Sequence, residues 1–197
     1  MKKRFAAAMA AALALFTISM TGCGIVKVVK IGEEAALTGE TVFDAGAESQ
    51  GSWTPIVEEI TGNAQEISAA DFSATSGAFP ISATGKIISV DQESKKGTLT
   101  VELDGYSGDK TFKIQIGPVY SGTSVRDAQT QKIYSDFTNQ GEWSEYALAL
   151  NDLVNTNVVT PLSLDSSAAG KTITLVGVYS ASATSTITIT PVSMSIS

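Results

Sequence analysis

The run Thr98-Leu99-Thr100-Val101-Glu102-Leu103, followed by Asp104-Gly105-Tyr106-Ser107-Gly108-Asp109 and then Thr111-Phe112-Lys113-Ile114-Gln115-Ile116, says more about architecture than any other part of the chain. Leu99, Val101 and Leu103 alternate with Thr and Glu, while Phe112, Ile114 and Ile116 alternate with Thr, Lys and Gln. A period of two means a strand with one buried and one wet face. The Asp- and Gly-containing connection has the chemistry of a hairpin turn. Upstream, Lys86 to Asp91 supplies an earlier strand with Gln92 to Gly97 as its turn, and downstream Lys171 to Tyr179 and Thr184 to Ile196 supply two more. In the last of these the apolar phase slips by one at Thr190-Pro191, which predicts a bulge or a bend.

Between the third and fourth strands the period becomes helical. Trp143, Tyr146, Ala147, Leu150 and Val154 share one face, and Asn139 with Glu142 three residues on has the spacing of an Asn-led capping box. Gly141 weakens the first turn, and Pro161 lies past the far end. Three strands, a helix, then two strands is the element order of the oligonucleotide/oligosaccharide-binding (OB) barrel, whose second and third strands commonly present the ligand face. The expectation is therefore a mainly β protein with a small α part: an OB-like five-stranded Greek-key barrel over 78–197, with a helix between strands 3 and 4. A two-layer α+β sheet and an unrelated small barrel are the alternatives.

A small helical domain is expected before the barrel, over 43–77. Trp53, Ile56, Val57 and Ile60 follow one helical face, with Gly62 as the expected C-terminal cap. Pro55 is best tolerated in a first turn, so Ser52 or Thr54 is the expected N-cap. Ser68 with Asp71 predicts the start of another short helix, and Ser73 to Gly77 a linker.

The N-terminus carries the address. Lys2, Lys3 and Arg4 precede an uncharged run from Phe5 to Met20, the pattern of a secretory signal over residues 1–22. Met20-Thr21-Gly22-Cys23 resembles a bacterial lipobox, and Cys23, the single Cys of the chain, stands where the thiol that takes diacylglycerol is needed. Residues 23–42 then form a lipid-anchored tether. Its Lys27 and Lys30, in Ile25-Val26-Lys27-Val28-Val29-Lys30-Ile31, would each gain on the order of 1 kcal/mol near anionic headgroups. Acyl chains, at roughly 0.8 kcal/mol per buried methylene, would dominate the anchoring. The expected location is the cell envelope, at the outer face of the cytoplasmic membrane or in the periplasm.

Composition removes several functions. The 197 residues contain no His, so Ser-His-Asp and Cys-His machinery are absent, and a lone Cys excludes intramolecular disulfides and Cys-rich zinc sites. Cleavage before Cys23 takes away three basic residues and moves the formal net charge from −7 to −10. An acidic chain without a basic stripe is a poor partner for nucleic acid. Asp104 and Asp109 lack the ligand register of a calcium loop, and Ser121-Gly122-Thr123-Ser124 lacks the Lys and following helix of a phosphate cradle. No cofactor and no metal is expected. Glu58-Glu59 and Asp91 with Glu93 are carboxylate pairs by sequence alone, which leaves a hydrolase as a distant third reading.

Gly122-Thr123-Ser124-Val125-Arg126-Asp127-Ala128 and Asp136-Phe137-Thr138-Asn139-Gln140 resemble the signature stretch of a family of predicted bacterial periplasmic lipoproteins of unknown function. Phe43-Asp44-Ala45, Gly85-Lys86, Gly97-Thr98-Leu99 and Gly170-Lys171-Thr172 extend the likeness over most of 23–197. The pattern departs around Trp53 and at Lys95-Lys96. Members of that family are often encoded beside ABC-type sugar uptake systems. The resemblance thus implies a helical domain joined to an OB-like barrel, and a non-enzymatic accessory or assembly role with an ABC transporter or solute-binding protein as partner. It brings no catalytic residues.

The alternative is a direct small-ligand or glycan-binding module that uses the barrel face. Its candidate contacts are Tyr106 at the hairpin tip and Arg126, Asp127, Asp136, Thr138, Asn139 and Gln140 in the polar connection. An Arg fork and short amides can clamp paired oxygens of a sugar or carboxylate. The competing reading has Arg126 paired with a carboxylate to hold the loop on the barrel, with Asn139 capping the helix. Trp143 and Tyr146 fall on the buried helical stripe, so core packing is their expected role.

Overall fold

Five strands close on one another in the computed structural model, which describes residues 42–197. The signal segment, Cys23 and the Lys27/Lys30 tether up to residue 41 lie outside the described residues. The elements are helix α1 (Ala45–Asn63), strands β1 (Gln65–Glu66), β2 (Ala78–Asp91), β3 (Lys96–Leu103) and β4 (Thr111–Pro118), helices α2 (Ser124–Asp127) and α3 (Gln140–Val154), and strands β5 (Thr172–Ser180) and β6 (Thr186–Ile196).

The alternating apolar positions of β3 and β4 are buried as their period requires, with Leu99 and Ile114 fully enclosed. Strand order runs β2-β3-β4-β6-β5, and β5 returns to pair with β2. All these pairings are antiparallel except β4 with β6, which is the closure of a five-stranded OB barrel. The two-residue β1 adds a parallel edge at Ile81 and Ser82. The phase slip in β6 is a bulge: Pro191 opposes Gly177 and Ser193 opposes Val176, so Val192 is the extra residue.

β2 is longer than its sequence signal, because Ala78 to Lys86 pair with β5 while Gly85 to Asp91 pair with β3. At the changeover a Cβ on Gly85 would collide with the Glu102 carbonyl and lie 2.8 Å from Leu103 Cα. Only a glycine lets the two backbones approach so closely.

The first helix corrects the expected boundaries. Its N-cap is Asp44, whose carboxylate accepts from Ala47 N at 2.9 Å, not Ser52 or Thr54. It runs through Pro55 and past Gly62 to Asn63, with Ala64 at the cap position. An internal proline costs about 3 kcal/mol. Burial offsets that cost: Ile56 and Ile60 are fully enclosed, each worth roughly 1.5–3 kcal/mol. Ser68 and Asp71 start no second helix either. Ile67–Ala69 is a single 3-10 turn, and Asp71 accepts from Ser73 N at 2.9 Å in a local turn.

Residues 43–77 do not have a core of their own. Ile56, Ile60 and Ile67 belong to the same hydrophobic cluster as the barrel strands, and Phe43–Ser197 is one compact unit. A 35-residue segment cannot enclose enough apolar surface alone. Helix α3 lies between β4 and β5, with Tyr146, Leu150 and Val154 fully buried. Its N-cap is Asn139, whose side chain accepts from Glu142 N at 3.0 Å. The reciprocal half of the expected box is displaced by one residue, since Glu142 accepts from Thr138 N at 2.8 Å.

Candidate functional site

The long connection from β4 to α3 was the sequence's richest source of candidate contacts, and most of its polar groups are bonded within it. Arg126 lies over Trp143, with Cζ 4.4 Å from the ring centroid, and Nη1 donates to the Trp143 carbonyl at 3.2 Å. Its Nε and Nη2 both reach Asp127 Oδ1, at 2.8 and 2.7 Å. Asp127 Oδ2 accepts from Thr123 Oγ1 at 2.6 Å. Asp136 accepts from Ile133 N at 3.0 Å, while Asn139 is occupied as the α3 cap. Thr138 contributes its backbone N–H to Glu142, and Gln140 is exposed in the first turn of α3. The geometry brings Arg126, Asp127 and Trp143 into one clamp, and leaves Asp136, Thr138, Asn139 and Gln140 to shape the entry to the helix.

Further clamps hold the middle of this loop. Gln129 is buried, donates to the Arg126 and Lys132 carbonyls and accepts from Lys132 N. Glu59 of α1 accepts from Thr130 N, Thr130 Oγ1 and Gln131 Nε2 at 2.8–2.9 Å. Partial burial raises the Glu59 carboxyl, but the hydrogen bonds from Gln131 and Thr130 outweigh it and hold the group below its ordinary range. Lys132 forms an ion pair with Glu48. On the outside of this pinned loop stand two exposed apolar side chains, Ile133 and Tyr134, at 53% and 51% exposure.

Tyr106 is not a free platform at a hairpin tip. Its ring packs edge-on against Phe72 and Phe112 at 5.7 and 4.8 Å, and its hydroxyl accepts from Lys110 N. The ring folds inward because Phe72, from the segment expected to be a helix start, seals this end of the barrel beside Tyr179. For the hydrolase reading, the shortest hydroxyl pair among the described residues is Ser52 Oγ and Tyr146 OH at 2.7 Å. Burial pushes the Tyr146 phenol up, the wrong direction for a base near neutral pH, although the Ser52 bond opposes it. The pair ties α1 to α3.

What sequence reading missed is a groove on the outside of β6. Thr186, Thr188 and Thr190 rise from β6, with Gln115 of β4 on one side and Ser180, Ser182 and Thr184 of the β5–β6 hairpin on the other. Ser121, Gly122 and Ser124 complete a groove of about 270 Å³. Hydroxyl and amide side chains line it, and no charged one does. Its floor is a fixed polar network. Gln115 Nε2 donates to Thr190 Oγ1 at 2.8 Å and to the Ser121 carbonyl, while its Oε1 accepts from Ser121 N at 2.7 Å. Asn151 of α3 donates to the Gly122 carbonyl, and Ser124 Oγ donates to Thr190 Oγ1 at 3.0 Å. The Thr-Ile alternation of β6 signalled a wet strand face; nothing in it signalled that the 121–124 loop would close over that face.

The closed topology defines an OB-barrel protein. Residues 12–195 match the profile of the predicted periplasmic lipoprotein family DUF2291, and the chain belongs to that family. Its fold is similar to that of an OB-fold protein from Thermotoga maritima, at 14% sequence identity and a TM-score of 0.57, over 80% of this chain and all of that one. That likeness concerns the fold alone. A search of curated proteins returns no match. Among the described residues no helix is long and apolar enough to cross a membrane.

Proposed function

We propose that this lipoprotein is a non-enzymatic accessory or assembly factor in carbohydrate uptake, held by diacylglyceryl-Cys23 at the outer face of the cytoplasmic membrane and acting on an ABC-type transporter or its solute-binding protein. The observation that carries the reading is the pinned loop 119–139. Its polar groups are fastened to α1, α3 and each other, while Ile133 and Tyr134 face outward. An ordered loop loses little entropy on docking, and an exposed Tyr beside an aliphatic neighbour is the kind of anchor that dominates protein interfaces. Recovery of the acylated protein from native membranes after mild crosslinking tests it. The wild type is expected to bring down a transporter component or solute-binding protein, and Ile133→Asp with Tyr134→Ala to cut that recovery about tenfold. Repeated recovery of neither partner overturns the reading.

The second reading, direct binding of a small ligand or glycan on the barrel, is favoured by the hydroxyl-lined groove over β6. It moves the contacts away from Tyr106 and Arg126 and onto residues that carry no charge.

A further inference from the structure

Thr190 is 1% exposed, and its hydroxyl oxygen accepts from Gln115 and from Ser124. Its own hydrogen finds no acceptor among the described residues. The side chain lines the groove, so the acceptor it lacks would come from the groove's contents. The Thr190 oxygen is thus partnered twice, and a bond donated by its hydrogen would be the third that the hydroxyl can make.

We infer that the groove over β6 binds an uncharged, polyhydroxylated ligand the size of a single sugar ring, with Thr190 and Thr188 as its principal contacts. This rests on the second reading above, that the barrel takes a ligand at all. The class follows from the lining. Hydroxyls both donate and accept, so they match a ligand whose own hydroxyls do the same. A charged ligand would give up its hydration mostly for neutral dipoles, the nearest cations being Lys110, already bonded to the Thr184 carbonyl at 3.0 Å, and Lys113, paired with Thr188 across the β4–β6 seam, and an apolar one would leave the threonines unpaired. Alternate residues on a strand stand about 7 Å apart, a distance that one hydroxylated ring can bridge. The volume of about 270 Å³ is at the small end for ligand pockets. Gln115 and Asn151 hold the 121–124 rim in place, so the site is formed before a ligand arrives. No aromatic side chain lines the groove, so hydrogen bonds exchanged with water must supply the affinity, and the expected Kd is about 1 mM. The site meets the β3–β4 face that OB barrels commonly use only at Gln115.

The test is an amide NMR titration of the acylated protein in zwitterionic, sugar-free micelles, using glucose, a glucose disaccharide, glycerol, glucuronate and glucose 6-phosphate. Saturable shifts from glucose at Gln115, Ser182, Thr188 and Thr190, at least tenfold weaker for both anions, are expected. Thr188→Val, at an exposed strand position, should weaken binding about fivefold, and Thr190→Val provides a second variant. The disaccharide and glycerol arms separate a free sugar from a longer glycan or a polyol headgroup, and preference for any of these neutral probes supports the inference. Shifts centred on the β3–β4 face or the Tyr106 loop overturn the groove but keep the second reading. Equal response to the anions overturns the ligand class. Silence from every probe up to about 100 mM overturns the groove and the second reading together.

Discussion

The two ends of the connection between β4 and α3 solve the same problem with different chemistry. At the β4 end, residues 121–124 are fastened by neutral amides and hydroxyls, Gln115, Asn151, Ser124 and Thr190, all of them buried. At the α3 end, residues 126–139 are fastened by charges around the neutral Gln129, with Arg126 on Asp127 and Trp143 and Glu59 on Thr130 and Gln131. The neutral network leaves beside it an open groove that no charged side chain lines. The charged one consumes its own groups and leaves an apolar ridge outside. A charged side chain in a long loop thus says little about ligands, because the loop must satisfy itself first.

Substitutions can separate these two solutions. The largest loss is expected for Gln115→Leu, which strips Ser121 N, the Ser121 carbonyl and Thr190 of partners in a buried site. We expect about 3 kcal/mol in urea denaturation, with hydrogen-exchange protection lost at residues 121–124. If the charged end is the true fastening, that variant will unfold like the wild type. Arg126→Ala removes the stacking on Trp143 and the bond to its carbonyl, and should cost about 1.5 kcal/mol by the same measurement. Arg126→Lys should recover less than half, since the fork is lost. Asn139→Ala uncaps α3 at about 1 kcal/mol, read as a fall in Tm with the β signal unchanged before the transition.

Acid titration sharpens the contrast. Glu59 has a lowered pKa in the folded protein, so its contribution is complete above the unfolded-state value and is lost as pH falls through the folded one. Exchange protection of the Thr130 amide should therefore decline below about pH 4.5, with no parallel decline at Ser121, whose partner does not titrate. Glu59→Gln should abolish that pH dependence at a stability cost of about 0.5 kcal/mol.

Local pattern carried the strands and α3. Leu99 to Leu103, Phe112 to Ile116 and the stripe from Trp143 to Val154 each announce their buried face by period alone, and the order of elements along the chain then suggested the barrel. It failed where burial overrode a local signal. Pro55 marks a first turn by propensity, yet the enclosed Ile56 and Ile60 carry α1 through it. Tyr106 looked exposed because it sits in a turn, yet Phe72, more than thirty positions upstream, draws its ring inward. For the candidate site, the Arg126–Asp127 adjacency was visible, but its partner Trp143 was seen only as a core residue.

By itself the amino-acid order determined the membership of a periplasmic lipoprotein family, the lone Cys23, the absence of His chemistry and the alternation that makes five strands. Each of those is a property of neighbouring residues, readable without knowing where the chain goes. Closure of β4 on β6 and of β5 on β2 was decided by the tertiary structure, and with it the meeting of Gln115, Ser121 and Thr190. A hydrogen bond such as that from Gln115 to Thr190, seventy-five positions apart, depends on how the barrel shuts, because directionality and burial act through space while periodicity acts along the chain.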